Sequence, residues 1–502
     1  MMMRISFKYL NLGVLMVSTL IVCAQPKSTK RGEAYGYNSN ADMQAISKGI
    51  CWWYNWGVQP ESGVINTYKS YNIEYVTMSW NDKSTSAIGP YLVKDASVKY
   101  LLGYNEPNFT LQANMTPSQA AADWPQLENL AKTYGVKLVS PAVNYCGGCV
   151  IVNGTTYTNN PYKYLDDFFA ACTNCQVDYI AVHWYACSLS ALQSYLAGFK
   201  KYKKPIWLTE FSCDENGAAT LQTQENYMFQ AVDFLESDPD VFRYAWFTGR
   251  SSSNNNGLFN STSGQLSDLG KIYVNMPTHD TGFYYVIPAH IEAEYYTYMS
   301  GIQLENTSDV SGVLNVGYID STDWLSYNID VPIAKEYDVN IRIAGNTASS
   351  LSIYSDTTLL QTIQTPLTGG WQNWKTISTK INLTQGKQKL KLVANSSGFN
   401  LNWFEVTDTI LSSVNELVNH NEVTVMPNPL TENRQFTVKV NGLSSLKMKI
   451  DLFDITGHLI FSKENNSNNA SVFSIGNDVA PGIYLLNIKM QNNNIYRKII
   501  IP

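Results

Sequence analysis

Two glutamates stand where paired carboxyl groups could do chemistry. One closes the run Tyr100-Leu101-Leu102-Gly103-Tyr104-Asn105-Glu106-Pro107; the other closes Lys204-Pro205-Ile206-Trp207-Leu208-Thr209-Glu210-Phe211. Each follows an apolar stretch of strand length and precedes a turn signal. Two carboxyl groups facing one pocket are the minimum equipment for cleaving a glycosidic bond. One protonates the departing oxygen, and the other stabilises or traps the sugar cation. A lone Asn-Glu-Pro is common, and a strand-end glutamate is often a structural ion-pair partner; the pair at this spacing is what carries information.

The elements around them set that spacing. Between residues 46 and 278, apolar runs of strand length alternate with longer helix-like segments, which is the signature of a parallel sheet. The strand candidates are Ile50–Trp56, Tyr75–Trp80, Tyr100–Asn105, Lys137–Val143, Tyr179–Tyr185, Ile206–Phe211 and Tyr244–Thr248. An eighth is expected between Trp56 and Tyr75 or between Trp80 and Tyr100. Pro117–Tyr134, introduced by Thr116, reads as a helix. The fold class predicted is a (β/α)8 TIM-type barrel followed by two antiparallel β-sandwich domains. Barrel enzymes carry their reactive groups at the C-terminal strand ends. If Glu106 ends the fourth strand, Glu210 ends the seventh, and the two face each other across the mouth. Alternation puts His183 and Tyr185 on one face of their strand and Trp184 on the other. His183 and Tyr185 are therefore substrate-site candidates beside Glu210, as is Trp246. Trp52, Trp53, Trp56 and Trp80 also sit at strand ends and could stack on pyranose faces. No metalloprotease helix, serine-nucleophile elbow or phosphate-cradling glycine loop is visible.

The 502 residues exceed one core and imply several domains. Residues 25–45 read as a polar linker. After Pro277 the pattern changes to short alternating runs: 288–406 reads as an antiparallel sandwich, 407–420 as a linker and 421–502 as a second, smaller β-domain. The net charge is -6 with 35 Lys and Arg spread thinly, so no basic stripe points to nucleic acid. The 33 tyrosines and 12 tryptophans, with only 15% charged residues, suit neutral hydrogen-bonding ligands such as sugars.

Residues 1–24 read as a signal peptide: Arg4 and Lys8, then a mostly apolar Leu10 to Val22, then Val22-Cys23-Ala24 before Gln25. Cys23 raises a lipoprotein alternative, which Val22 in the preceding position opposes. No later run reaches the roughly 18 apolar residues of a membrane span. Cleavage after Ala24 leaves Cys51, Cys146, Cys149, Cys172, Cys175, Cys187 and Cys213. Two C-x2-C pairs match zinc-ribbon spacing, but export to an oxidising compartment favours disulfides. Cys187 with Cys213 is a plausible further bridge, with Cys51 left over.

These residues taken together call up known families. Residues 46–278 resemble glycoside hydrolase family 128, the "glycosyl hydrolase catalytic core" proteins. The matching pieces are Lys48-Gly49-Ile50-Cys51-Trp52-Trp53-Tyr54-Asn55-Trp56, Leu102 to Pro107, Ser140-Pro141-Ala142, Asp178 to Tyr185 and Pro205 to Phe211. Asn105-Glu106-Pro107 resembles the acid/base signature of a large clan of retaining barrel hydrolases. The resemblance implies Glu106 as general acid/base, Asn105 on the 2-hydroxyl of the reacting sugar and Glu210 as nucleophile. An acid that must keep its proton near neutrality is helped by a negative neighbour and partial burial.

Residues 288–406 resemble carbohydrate-binding module family 6. The matching pieces are Ile291 to Tyr296, Val316 to Asp320, Asp323 to Tyr327, Gly369-Gly370-Trp371 and Phe399 to Phe404. The resemblance implies a sugar held between Tyr318 and Trp371 with Asn400 as anchor, and a structural calcium at Glu292 and Glu294. Residues 421–502 resemble the C-terminal sorting domain of the type IX secretion system. They share Met426-Pro427-Asn428-Pro429, Ile450 to Gly457 and Ala480-Pro481-Gly482-Ile483-Tyr484 with it. This implies export across an outer membrane, with the protein released or held at the cell surface. The expectation is a secreted, monomeric, retaining endo-β-1,3-glucanase acting on laminarin- or curdlan-type polysaccharide, with no catalytic cofactor. Its partners are β-glucan and the type IX machinery. Two alternatives stand beside it: a non-catalytic glucan-binding protein, and a barrel hydrolase of another β-glucan linkage.

Overall fold

The computed structural model describes residues 25–214, 219–310, 312–408 and, further on, 423–431, 433–440, 446–454, 458–467, 470–476, 479–490 and 493–501. The signal segment 1–24 and most of the linker 407–420 lie outside the described residues. The chain forms two compact units that divide after Asp408.

The N-terminal part of the first unit alternates strands with helices α1 (Asn40–Ile46), α2 (Thr85–Lys94), α3 (Pro117–Tyr134), α4 (Pro161–Ala171), α5 (Leu189–Phe199), α6 (Leu221–Ser237) and α7 (Asp268–Asn275). Its strands are β1 (Arg31–Ala34), β2 (Trp52–Tyr54), β3 (Glu74–Tyr75), β4 (Thr77–Met78), β5 (Tyr100–Leu102) and β6 (Lys137–Val139). A small hairpin follows (β7, Ile151–Val152; β8, Thr155–Thr156), then β9 (Ile180–Trp184), β10 (Ile206–Phe211) and β11 (Val241–Trp246). Apart from the hairpin they pair in parallel, in a sheet ordered β3-β2-β1-β11-β10-β9 and a second ordered β4-β5-β6. Val76 alone separates β3 from β4, and single parallel bridges Val139–Tyr179 and Val143–Val182 join the β6 side to β9.

Two apolar layers result. Trp52, Met78, Leu102, Val139, Ala181, Trp207 and Ala245 pack together on one face of the strands. Trp53, Leu101, Leu138, Val182, Leu208 and Phe211 pack on the other, against the helices. Strands covered on both faces read as continuous apolar runs, which is why β10 falls where the sequence places it. The helix α3 (Pro117–Tyr134) also coincides with expectation; Thr116 and Gln119 form a capping box, and Gly135 takes the left-handed C-cap.

One expectation is corrected. Residues 25–45 are not an irregular linker: Arg31–Ala34 is a strand central to the larger sheet, followed by α1 (Asn40–Ile46). Neither interval named for the eighth strand supplies this one. Its sequence, Arg-Gly-Glu-Ala, hides it because both polar side chains are buried, Arg31 with an ion-pair partner and Glu33 beside Asn38 Nδ2 (3.0 Å), where burial pushes its carboxyl up to about 8. The fully buried Arg31 guanidinium donates to Glu236 Oε1 (3.0 Å), Tyr244 Oη (3.0 Å) and the carbonyls of Tyr273 (2.7 Å) and Pro277 (2.7 Å). Removing one side of such a pair costs about 3–5 kcal/mol.

Residues 285–408 form two antiparallel-dominated sheets. One orders Gln303–Asn306, Leu314–Gly317, Phe399–Asp408, Lys335–Gly345 and Gly370–Leu383, with Ala289–Glu292 paired to Phe399–Asp408. The other orders Tyr285–Val286, Trp324–Val331, Gly386–Ala394, Ser349–Ser355 and Thr358–Thr365. The strand Ala289–Glu292 ends where the chain turns at Ala293. Side chains lock this sandwich to α6 (Leu221–Ser237). Tyr296 Oη donates to Asp233 Oδ1 (2.7 Å), His279 Nε2 lies 2.8 Å from the same oxygen, and Asn306 Nδ2 donates to Glu225 Oε2 (3.2 Å).

The second unit pairs Val423–Met426, Gln435–Val440 and Ala470–Ser474 in one antiparallel sheet. Leu459–Ser467, Leu446–Phe453, Gly482–Met490 and Asn493–Ile501 form another. Phe436, Ile450, Leu452, Phe473, Leu486, Ile488 and Ile499 fill its core. The cysteines form disulfides Cys146–Cys149, Cys172–Cys175 and Cys187–Cys213, and Cys51 is free. No helix among the described residues is long and apolar enough to cross a membrane.

Candidate active site

Glu210 faces the inner layer because β10 is irregular. Counting by twos from Trp207, which packs inward, puts Glu210 outward among the helices. The register against β9 slips between Leu208, paired with Val182, and Glu210, paired with His183. Two residues of β10 thus span one step of β9. That bulge turns Glu210 inward, and Phe211 packs in the outer layer.

Three donors then converge on the Glu210 carboxylate. Tyr54 Oη (2.8 Å) and Trp56 Nε1 (2.7 Å) donate to Oε1, and Tyr185 Oη donates to Oε2. Burial and the neighbouring Glu210 charge push both phenols well above their ordinary pKa, so they stay protonated and keep donating. A carboxylate held by three donors is fixed in direction.

Glu106 reaches the same place from the turn after β5. Its φ is +41°, an uncommon conformation for a residue with a side chain, and Trp56 at the end of β2 is also left-handed at +59°. Strain of this kind, of order 1–3 kcal/mol per residue, persists only where surrounding structure enforces it. Here the turn is pinned by Asn105 N–H to Trp80 O (3.0 Å) and Phe109 N–H to Glu106 O (2.9 Å). Gly103 is required just upstream, since a Cβ there would lie 2.8 Å from Val139 O and 2.9 Å from the Trp124 ring.

The carboxylates meet through His183. Its Nδ1 lies 2.9 Å from Glu106 Oε1 and 3.5 Å from Glu210 Oε2. Burial alone would favour the neutral ring; the charges of Glu210 and Glu106 outweigh it and hold the imidazole above its ordinary pKa. One oxygen from each glutamate and a His183 nitrogen lie within 4.8 Å of one another. Such a group could in principle take a metal ion, but three donors already engage Glu210.

Asn105 is buried beside Glu106, its Nδ2 donating to Gln112 Oε1 (3.2 Å) and its Oδ1 without a partner. Trp246 is not part of the site. It is fully buried in the outer layer, 5.0 Å from the Phe211 ring and donating to Asn256 O (2.7 Å), because alternation along β11 turns it away from the mouth. Trp52 and Trp53 are likewise fully buried, whereas Trp56 and Trp80 keep exposed surface. Sequence reasoning gave no role to Tyr54 or to the indole N–H of Trp56. Alternation in Trp52-Trp53-Tyr54, with Trp53 outward, was the available signal for Tyr54.

In the sandwich, Tyr318, Trp371 and Asn400 line one cleft of about 750 Å³ together with Glu305 and Gln372. Tyr318 is 63% and Trp371 48% exposed, so neither ring is committed to the core. Asn400 Nδ2 donates to Glu305 Oε1 (2.6 Å) and Trp371 O (2.9 Å), which orients its amide. Glu305 Oε1 also accepts from Asn315 (3.0 Å) and Gln372 (3.0 Å). Glu305 went unnoticed in the sequence because an isolated carboxylate on a short strand carries no motif.

Elsewhere in the sandwich, Glu292 Oε2, Glu294 Oε2 and Asn402 Oδ1 are buried without partners. A Cβ built on Gly312 would lie 3.6 Å from Asn402 Oδ1 and 3.7 Å from both Glu292 Oε2 and Leu314 O, so two of these unpartnered oxygens and one backbone carbonyl border one space. An all-oxygen donor set of this kind fits a hard cation such as calcium.

Three family models match the chain: glycosyl hydrolase catalytic core over residues 32–273, carbohydrate binding module (family 6) over 292–408, and secretion system C-terminal sorting domain over 424–502. A solved glycoside hydrolase family 128 (subgroup II) endo-β-1,3-glucanase from Sorangium cellulosum is 39% identical, covering 50% of this chain and 100% of its own, with TM-score 0.46. A carbohydrate binding module from a Cellvibrio mixtus lichenase, solved with cellotriose, is 39% identical over 24% of this chain and 98% of its own, with TM-score 0.24. Alkali-sensitive linkage protein 1 of Schizosaccharomyces pombe is 33% identical over 267 residues, 49% of this chain and 45% of that protein. The chain spans less than half the length of the curated relatives it matches.

Proposed function

We propose that this chain, which belongs to glycoside hydrolase family 128, is an exported endo-β-1,3-glucanase that works by double displacement. The observation that carries the reading is that one oxygen each of Glu106 and Glu210 lie within 4.8 Å of each other, with His183 Nδ1 beside both. Carboxyl groups about 5–5.5 Å apart suit attack on the anomeric carbon by one of them; inverting enzymes need about 6.5–9.5 Å to admit a water. We also read the parallel strands as one closed (β/α)8 barrel. Counting β3 and β4 as one strand broken at Val76, the series from β1 to β11 returns to β1 through the β1–β11 pairing.

Glu210, held by Tyr54, Trp56 and Tyr185, attacks the anomeric carbon and the glycosidic oxygen leaves with the proton of Glu106. Water then enters; Glu106 takes its proton and the Glu210 ester breaks, restoring the carboxylate and the starting anomeric configuration. His183 Nδ1 lies between both carboxylates, 2.9 Å from Glu106 and 3.5 Å from Glu210, and keeps the two side chains aligned with each other. Asn105 Oδ1, lacking a protein partner, is placed to accept from the 2-hydroxyl of the bound sugar.

The test is incubation with a panel of polysaccharides. Reducing ends should appear from laminarin and curdlan, with little from β-1,4-glucan, and early products should be oligosaccharides. Absence of reducing ends from every glucan would leave only a binding protein.

The C-terminal unit is a sorting domain of the type IX secretion system and directs the chain to the cell exterior or surface. The sandwich anchors the enzyme on its polysaccharide through Tyr318 and Trp371, raising local substrate concentration without touching the cut site. Trp371→Ala should weaken retention on insoluble β-1,3-glucan about tenfold, a loss of roughly 1.4 kcal/mol, while turnover of short soluble substrate stays near that of the native protein. Unchanged retention would move the binding surface elsewhere.

For the unpartnered oxygens of Glu292, Glu294 and Asn402 we propose a structural calcium. Chelation should lower the melting temperature of the sandwich by several degrees, of the order of 4–8 °C for each 1 kcal/mol in a domain of this size, and calcium alone should restore it. A melting curve indifferent to chelator and calcium would remove the ion.

A further inference from the structure

The cleft of Tyr318 and Trp371 does not end at the edge of the sandwich. A second cavity of about 450 Å³ lies beside it, and Gln303, Glu305 and Tyr318 line both. Its opposite wall belongs to the catalytic domain: Gln222, Asn226 and Gln230 of α6. These three stand four residues apart and therefore share one face of the helix. All are exposed, while Gln224, Glu225, Tyr227 and Met228 between them are buried.

The composition of this wall is specific. A carboxamide offers both a donor and an acceptor and carries no charge, which matches the hydroxyls of a neutral sugar and matches neither an anion nor an apolar ligand. Gln222 Nε2 already donates to Asn226 Oδ1 (3.0 Å), so the stripe is ordered before any ligand arrives. The wall is also held in place against the sandwich. Asn306, which lines the same cavity, is bonded to Glu225 on α6, and Asp233 two turns further along takes Tyr296 and His279. A helix face and a sandwich cleft tied by several side-chain bonds form a fixed groove.

We propose that Gln222, Asn226 and Gln230 extend the sandwich cleft into a composite subsite, so that a β-glucan chain longer than the cleft continues past Tyr318 onto α6. This rests on the reading of the cleft as a glucan site. It makes recognition of long chains a joint property of the two domains, which neither would have alone.

The test uses the full chain carrying Glu210→Gln to suppress turnover, with β-1,3-linked oligosaccharides titrated calorimetrically. Gln222→Ala, Asn226→Ala and Gln230→Ala are introduced together, at exposed positions where alanine favours the helix. Affinity for an oligosaccharide of about eight residues should fall roughly five- to tenfold, the scale of a few lost hydrogen bonds, and affinity for the trisaccharide should hold. With Trp371→Ala already present, the triple substitution should lower the affinity for the longer oligosaccharide by a similar factor, because contacts at separate points along one bound chain add. No effect of the triple substitution beside a clear effect of Trp371→Ala would overturn the extension alone. An equal loss for the trisaccharide and the longer oligosaccharide would also overturn it, since α6 would then bind short sugars independently of the cleft. No effect of Trp371→Ala would overturn the cleft reading and the extension with it.

Discussion

Glu210→Ala lowers kcat/KM on β-1,3-glucan by about 10⁵-fold, the scale on which enzymes lose a nucleophile that acts as part of a unit. The expectation follows from what surrounds the carboxylate. Tyr54, Trp56 and Tyr185 fix its direction through three hydrogen bonds. The loss should appear in kcat as much as in kcat/KM, because substrate binding elsewhere in the groove is untouched. Added azide supplies a small external nucleophile in the vacated space. With an activated aryl glycoside it should yield a glycosyl azide of inverted configuration, detectable by NMR. A variant retaining activity within tenfold of the native protein would exclude Glu210 from the reaction. Azide without product would argue against it as the nucleophile specifically.

Glu106→Ala has the next largest effect, and its signature depends on the leaving group. On polysaccharide, whose alkoxide leaves poorly, the loss should be about 10²–10⁴-fold, the usual worth of a positioned proton donor. On an aryl β-glycoside whose phenolate leaves unaided, the first step should be nearly unaffected, and the second, which needs a base for water, becomes limiting. Azide, which needs no base, should then accelerate turnover and give a product of retained configuration. The opposite stereochemistry in the two variants is the strongest check on the assignment of roles. An equal loss on both substrates, with no azide response, would mean that Glu106 positions His183 or the sugar and does not transfer the proton. Both experiments leave the disulfides and the apolar layers intact, so changes in activity can be separated from unfolding by circular dichroism.

How far the site was legible differs from residue to residue. Glu106 and Glu210 could be read because each ends a run whose apolar character is forced by burial on both faces. His183 and Tyr185 could be read because period two is a geometric property of any strand. Trp246 was misplaced by weighting its position near a strand end over its parity. Tyr54 went unread although its parity was visible, because a tyrosine between tryptophans looks like packing. The strand Arg31–Ala34 went unread because its two polar side chains are buried, Arg31 against a partner as distant as Glu236, and such a partner leaves no local trace.

The sequence by itself determined the alternation of strand and helix, the order of the domains and the two glutamates with their neighbours, because these follow from burial and backbone periodicity, which act locally. The tertiary structure decided three further things. A one-residue bulge in β10 turned Glu210 toward Glu106 when strict alternation would have turned it away. The turn after β5, pinned by Trp80, held Glu106 in a left-handed conformation that brings its carboxyl to His183. And docking of the sandwich on α6 set the amides of Gln222, Asn226 and Gln230 beside Tyr318. Each depends on contacts between residues tens to hundreds of positions apart, and such contacts form only when the chain has closed on itself.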